Sequence, residues 1–377
     1  MKLLWLERLE RPADVAALRA ELVARHPAFA PGRLRRLAIL GAADEGRRLA
    51  GLCRAHGIAV AALLDDNPRR QGTEVEGIVV RPTTGLAEIE PDVPLVIASH
   101  RVLLALDRLG AAATERPVAP FALLQAGWPD RFPPHMFHDG LLEDLAASGA
   151  RYRALADSLA DDLSRRVLDA VIGYRLSMDA EVMRPFVDWG LYQPTGLPPL
   201  RGDEVYVDGG AYDGDSVRLF IKRVGDSFAR VVAFEPDPAT FQRLAASFAG
   251  DSRVEPVNAG LYSAKTVLRF DDAGTRGSLL AEGGGVEVPV VALDEVLNGD
   301  RVTTIKMNIE GAELDALQGA RRSIQRWRPR LAISAYHRPS DLWRIPEAIQ
   351  GLDPGYRLHY RQHDGGIIET VCYALAG

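Results

Sequence analysis

Cysteine is nearly absent from this 377-residue chain, which has only Cys53 and Cys372. Far apart and without metal-type spacing, they imply two small buried thiols in a reducing compartment rather than a disulfide framework. Lysine is almost as scarce: Lys2, Lys222, Lys265 and Lys306 are the whole complement, and arginine supplies the other positive charges. A net charge of −6 and a pI near 5.8 offer no basic surface to neutralise phosphates, which argues against a nucleic-acid partner. Long apolar runs are missing too. No stretch reaches the length of a membrane span, and Glu7 breaks the opening run, so neither a transmembrane segment nor a secretory signal is expected. These absences predict a cytoplasmic protein. What remains is globular composition, 47% hydrophobic and 25% charged, in a chain long enough for two domains. Nothing in it signals an oligomeric state.

Against this plain background one stretch stands out. Residues 205–215, Val-Tyr-Val-Asp-Gly-Gly-Ala-Tyr-Asp-Gly-Asp, run from an apolar strand into an acidic, glycine-rich turn. A second apolar run, Val231–Phe234, ends in Glu235-Pro236-Asp237. Glycines in the first turn let backbone approach a bound molecule closely. A carboxylate at the tip of the second strand suits a ribose diol. A dinucleotide fingerprint would put pyrophosphate at this turn. Here Asp208, Asp213 and Asp215 would repel one. The three acids suit the amino group and sulfonium of S-adenosylmethionine, although solvated acids in an Asp-Gly turn would look the same.

The strand pattern places these motifs. Arg36–Leu40, a helix over Asp44–His56 and Ala59–Leu64 form a βαβ unit with Gly41 and Gly46 at its first turn, followed by a strand over Pro94–Ala98 and a helix over Val102–Gly110. This predicts a small Rossmann-like α/β domain within residues 1–120. Residues 121–200 read as a connector, irregular over 121–140 and helical over Glu143–Ser177. From 201 to 377 strands and helices alternate: strands at Glu204–Asp208, Arg230–Phe234, Val254–Asn258, Thr304–Met307 and Arg330–Ala335 carry helices between them, except that a β-rich excursion over Lys265–Val291 separates the third from the fourth. Tyr356–Gln362 and Glu369–Leu375 close the pattern as an antiparallel hairpin. Gly274–Gly285, glycine-rich, reads either as a lid or as a hairpin loop.

Four pieces then fall in order: Asp208-Gly-Gly-Ala-Tyr-Asp-Gly-Asp, Phe234-Glu-Pro-Asp-Pro, Ile305-Lys-Met-Asn-Ile-Glu-Gly-Ala-Glu313 and the run from Ser334 to Pro346. Together they resemble the FkbM family of methyltransferases over roughly residues 160–376. The resemblance implies a class I, seven-stranded, doubly wound sheet with a terminal antiparallel hairpin, S-adenosyl-L-methionine as donor, and O-methylation of a sugar, glycan or related metabolite. It assigns Asp208, Gly209, Gly210, Ala211, Tyr212, Asp213 and Gly214 to the methionine end of the donor. It places Glu235, with Pro236 and Asp237, at the ribose, and Asn258 and Ala259 against the adenine. The family usually carries Asp where this chain has Asn308, which lowers the case for a divalent metal; none is expected. Residues 36–120 resemble the nucleotide-sugar-binding domain of bacterial sugar acyltransferases, through Asp65-Asp66-Asn67-Pro68 at the end of the second strand. That implies a nucleotide-sugar ligand, while turn residues required only by the fold are the plainer account.

Methyl transfer is an in-line displacement and needs a proton removed from the acceptor hydroxyl. Acceptor-side groups belong at the carboxyl ends of the fourth and fifth strands. Lys306, Asn308 and Glu310 fall at the first, as orienting groups, a base or structural partners. His337, after the fifth, is expected as a neutral general base. Asp341 and Trp343 begin the next helix, where they cap it or line the acceptor pocket, a core position being the plainer account of Trp343, and His359 and His363 read as structural. Two other functions fit parts of the pattern. A nicotinamide-dependent nucleotide-sugar oxidoreductase would use the Gly41–Gly46 turn, which lacks the middle glycine. A non-catalytic donor-binding protein would follow if Asn308 marks a lost activity.

Overall fold

The computed structural model describes residues 2–270 and 286–377; the Gly274–Gly285 segment lies outside the described residues. The chain divides into two compact units. Among the described residues no helix is long and apolar enough to cross a membrane.

Unit 1 comprises Met1–Ala154, Arg165–Val187 and Asp364–Ile368. Its strands are β1 (Arg36–Leu40), β2 (Ala59–Leu64), β3 (Glu74–Val75), β4 (Ile78–Arg81), β5 (Leu95–Ile97) and β6 (Val118–Pro120), in the order β3-β4-β2-β1-β5-β6. All neighbours are parallel except the β3–β4 hairpin. Parallel strands are covered on both faces and therefore read as continuous apolar runs. Leu37, Ala38 and Ile39 of β1 and all three residues of β5 are buried accordingly. One face packs Ala38, Ala62, Leu64 and Leu95 on Leu86, Ile89, Val93 and Leu109. The direction of winding changes between β1 and β5. Phe121–Gly127 is a fully buried helix where an irregular stretch is expected: Ala-Leu-Leu-Gln-Ala fits one short turn-and-a-half between Pro120 and Trp128-Pro129.

Unit 2 comprises Leu155–Ser164, Asp188–His363 and Glu369–Gly377, so the 121–200 stretch contributes to both units. Its strands are β7 (Val205–Gly209), β8 (Arg230–Phe234), β9 (Val254–Val257), β10 (Gly260–Leu261), β11 (Thr266–Phe270), β12 (Val286–Val291), β13 (Thr304–Met307), β14 (Arg330–Ser334), β15 (Tyr356–Gln362) and β16 (Thr370–Ala376). Seven of them form the sheet β15-β16-β14-β13-β7-β8-β9, and β10, β12 and β11 form a small separate one. Strands β9, β8, β7, β13 and β14 run parallel across the main sheet, and β15 and β16 close it as an antiparallel pair. Register sets Lys306 beside Asp208, and Gly209 between Met307 and Phe234. The helix Asp215–Val224 buries Val217 and Phe220 beneath β7, and Phe220 stacks on Tyr206 at 4.3 Å. Pro238–Phe248 starts on Pro238, with Asp237 Oδ2 capping the Thr240 N–H at 2.7 Å; proline in the first turn costs no hydrogen bond there. The main sheet reverses its winding between β7 and β13, so its carboxyl edge opens at that point.

Candidate functional site

At that edge β7 ends in the acidic turn. Asp208 is fully buried: Oδ1 lies 2.8 Å from Lys306 Nζ and Oδ2 accepts from Ser216 Oγ at 2.6 Å. Lys306 Nζ also donates to the carbonyls of Gly209 at 3.1 Å and Gly210 at 2.8 Å. All three ammonium protons are thereby placed on the turn. A buried charge persists only when paired and hydrogen-bonded, and here one lysine meets that condition by holding the turn's shape. Gly210 (φ +75) adopts a conformation natural to glycine, and a Cβ on it would lie 2.0 Å from Asn308 O. A Cβ on Gly214 (φ +92) would strike the Phe248 ring at 2.4 Å. Tyr212 holds φ +51 without that freedom, so the turn is over-determined by its neighbours.

The tip of β8 faces this turn. Glu235 is buried, and its two oxygens accept from the Tyr212 N–H at 2.9 Å and the Asp237 N–H at 3.0 Å. Burial pushes its carboxyl up, against the pull of those two donors. Asn258 Nδ2 donates to the carbonyls of Glu235 and Pro236 at 2.9 and 3.1 Å, which fixes the β8 loop from the side of β9. Ala259 is buried beside it. Asp237 is committed to capping, and Asp213 to an exposed pair with Arg218 at 2.7 Å.

On the other side of β7, Asn308 lies between two phenols. Its Oδ1 accepts from Tyr336 Oη at 3.2 Å, and its Nδ2 donates to Tyr192 Oη at 3.4 Å. Tyr192 (φ +61) also lies under Lys306, with Nζ 5.3 Å from its ring centre. His337 is buried; Nδ1 is 2.9 Å from Glu313 Oε1 and Nε2 is 3.7 Å from Glu310 Oε2. Glu313 is buried as well, and its Oε1 accepts the Ile309 N–H at 2.8 Å. Burial alone would depress the imidazole, but Glu313, Glu310 and Asp341 outweigh it and bring His337 up to about 9. Three carboxylates thus converge on a ring that a sequence shows alone, and they favour its charged form over the neutral one expected of a base. Asp341 is buried, its Oδ2 accepting the Arg338 N–H at 2.9 Å, and burial with Glu313 raises it to about 6.

Sequence reasoning missed four partners here. Ser216 and Glu313 carry a spacing signal, at the helix start after the turn and at i+3 from Glu310. Tyr336 is visible only as His337's neighbour, and Tyr192 lies 116 residues from Asn308 with no local cue. His359 Nδ1, by contrast, is 2.7 Å from Asp161 Oδ2, and His363 Nε2 2.8 Å from Tyr373 Oη.

A parallel sheet with an antiparallel end pair, reversing at β7, with an acidic glycine turn there and an acid on the next strand, defines the class I methyltransferase fold. More particularly, residues 208–360 match the family model of the Methyltransferase FkbM domain. The crystal structure of Methyltransferase FkbM from Methylobacillus flagellatus KT is similar to this chain at 26% identity and TM-score 0.70, covering 96% of this chain and 100% of that one. Aeropyrum pernix fibrillarin in complex with natively bound S-adenosyl-L-methionine follows at 12% identity and TM-score 0.32, covering 48% and 70%. An rRNA methylase from Streptococcus thermophilus shows 16% identity and TM-score 0.32, covering 47% and 88%. Likeness that low carries no weight. No curated protein matches the chain.

Proposed function

We propose that unit 2 binds S-adenosyl-L-methionine at the Asp208–Gly214 turn and methylates a hydroxyl of a sugar, glycan or related metabolite in the cytoplasm. The observation that carries this reading is Glu235: a buried carboxylate at the tip of β8, held by two N–H donors and by no cation within ion-pair distance among the described residues. A ribose diol supplies the donors such a group lacks. Gly210, Tyr212 and Gly214 present backbone to the methionine end, and Asn258 and Ala259 flank the adenine. Asp208 and Lys306 act one step back, as positioning residues that shape the turn. The donor supplies a methyl group on a sulfonium.

On the acceptor side, Asn308 is oriented by Tyr336 and Tyr192 so that its amide can align a hydroxyl. Glu310 (φ +56), with a side chain 38% exposed, is the carboxylate at hand to take the hydroxyl proton, and the His337 imidazolium holds it in place. The acceptor oxygen forms its bond to the methyl carbon as the carbon–sulfur bond breaks, and the proton leaves to Glu310. Against the nicotinamide reading, Asp65 in unit 1 already shares its carboxylate among the Ala42 and Asn67 N–H groups at 2.8 Å each and Arg70 at 3.2 Å.

Titration calorimetry with S-adenosylmethionine tests the donor site. Heat with this donor and none with NAD is expected, and Glu235→Gln should weaken binding by about tenfold, the scale of a lost charged hydrogen bond. Silence with S-adenosylmethionine sinks the reading. Labelled donor incubated with fractionated glycans then identifies the acceptor.

A further inference from the structure

In unit 1 the winding reverses between β1 and β5, and open parallel sheets bind ligands just past their strand ends at such a point. There β1 passes through Gly41 into the helix Asp44–Ala55, and β5 passes into Ala98-Ser99-His100. A narrow cavity opens at this place, with Glu45, Ser99, His100, Gln125 and His138 among its lining residues. His135 Nδ1 stands 3.3 Å from Glu45 Oε1. The polar groups are graded by depth: Ser99 and His135 are exposed, Glu45 and His100 half-buried, and His138 and Gln125 buried. The cavity as a whole, about 10 Å³, has room for roughly one water-sized group.

Two side chains at this cavity are unmet. Gln125 is 1% exposed and His138 7% exposed, and neither Nε2 has a hydrogen-bond partner among the described residues. Native interiors rarely leave such atoms unpaired, because each forfeits its hydration without return. Burial drives His138 down to about 3, so its ring is neutral and offers one donor and one acceptor. Among the described residues no such cluster is arranged to hold a metal ion, which leaves hydrogen bonding as its chemistry.

The pair asks for a group that can both accept and donate. A hydroxyl can accept from the Gln125 amide and donate to a neutral imidazole nitrogen. A carboxylate has no proton to give, and either a carboxylate or a phosphate would bring its negative charge against that of Glu45. An ammonium cannot accept, and a methyl group leaves both atoms unmet. We propose that this cavity is a carbohydrate site: one hydroxyl of an uncharged sugar reaches Gln125 and His138 on the floor, while the ring rests at the mouth beside Glu45 and His135. The site is independent of methyl transfer and differs from the β2 tip, where Arg70 and two backbone N–H groups already occupy Asp65.

The test is saturation-transfer NMR on the full chain, with the methyl pyranosides of glucose, galactose, mannose and rhamnose and with inorganic phosphate. Transfer to at least one pyranoside at millimolar concentration is expected, with none to phosphate. Gln125→Met and His138→Phe should each weaken it by about tenfold, with the unfolding midpoint unchanged or raised because an unmet buried atom is gone. Glu45→Gln, at the half-exposed mouth, should weaken it less and keep the fold if either buried variant fails to. Absence of transfer from every pyranoside overturns the proposal and leaves the floor to a single water. Transfer that survives all three substitutions also overturns it, as does a response to phosphate alone.

Discussion

At the end of β1, Gly41 turns with φ +104 so close to β5 that a Cβ would lie 2.9 Å from Ala98 O; at the end of β7, Gly210 turns with φ +75 and a Cβ would lie 2.0 Å from Asn308 O, at the end of β13. Each turn is then tied to an acid on the next strand. Asp65 accepts the Ala42 N–H and the N–H two residues on, at Asn67; Glu235 accepts the Tyr212 N–H and the N–H two residues on, at Asp237. The wiring is the same, and the endings differ. In unit 1 only residues 41–43 separate strand from helix, and Arg70 completes the acid's contacts. In unit 2 residues 210–214 intervene, and a lysine inside the sheet organises their backbone while Glu235 keeps two N–H donors alone. The lesson is that a strand–glycine–helix turn with an acid on the neighbouring strand is a structural device first. It becomes a ligand site where the chain leaves the acid's remaining capacity unspent.

The sharpest way to break the comparison is to add one methyl group at the two glycines. Gly210→Ala puts a Cβ into a backbone carbonyl at 2.0 Å, a contact that no rotamer relieves, on top of about 1–2 kcal/mol for a left-handed non-glycine residue. It should cost more than about 4 kcal/mol, in the range reserved for gross disruption, and abolish donor binding. Gly41→Ala meets Ala98 O at 2.9 Å and should cost markedly less. Chemical denaturation of both variants decides it. Equal losses would mean that the two turns are under the same constraint and that the closeness of Gly210 to β13 has no bearing on the site.

Lys306 separates the two sheets next. Its register partner is Asp208, whereas the corresponding β1–β5 pairs, Ala38–Leu95, Ile39–Val96 and Leu40–Ile97, are wholly apolar. Lys306→Met strands the Asp208 carboxylate in the core and should cost about 3–5 kcal/mol, the usual result of removing one member of a buried pair. Removing both, with Asp208→Leu as well, should restore much of the stability but not donor binding, since the carbonyls of Gly209 and Gly210 lose the ammonium that gathers them. Recovery of donor binding in the double variant would show that the lysine serves the core and not the turn.

Much of this was legible in the sequence, for reasons that also explain what was not. Strands β1, β2, β8, β13 and β15 fall at the expected residues, because buried parallel strands are short apolar runs bounded by turn residues. The helix Pro238–Phe248 announces itself through Asp237 and Pro238. Strands β4 and β6 were missed: Ile78–Arg81 and Val118–Pro120 are brief, and a proline ends the second. In the site, residues contiguous with a motif could be named, and their partners across the fold could not. Asn308 was in view, but Tyr192 was not; His337 was in view, but the Glu313 that fixes its charge was seen only as the end of a motif.

Two buried histidines, one from each unit, have opposite outcomes: His138 falls to about 3 for want of any neighbouring acid strong enough to offset burial, and His337 rises to about 9 among Glu313, Glu310 and Asp341. A histidine whose folded value lies above its unfolded one, ordinarily near 6.5, stabilises fully below 6.5, and that contribution is lost as pH rises toward 9. One whose folded value lies below does the reverse: it costs nothing above 6.5, and stability is lost as pH falls from 6.5 toward 3. The unfolding midpoint should therefore decline on both sides of neutrality. His337→Asn should flatten the alkaline side and leave the acid side alone, and His138→Phe should soften only the acid side. The effect is smaller than the first two, since the carboxylates around His337 share the proton among them and spread its titration. An alkaline slope that survives His337→Asn would return the imidazole to neutrality and, with it, restore His337 in place of Glu310 as the group that takes the acceptor's proton.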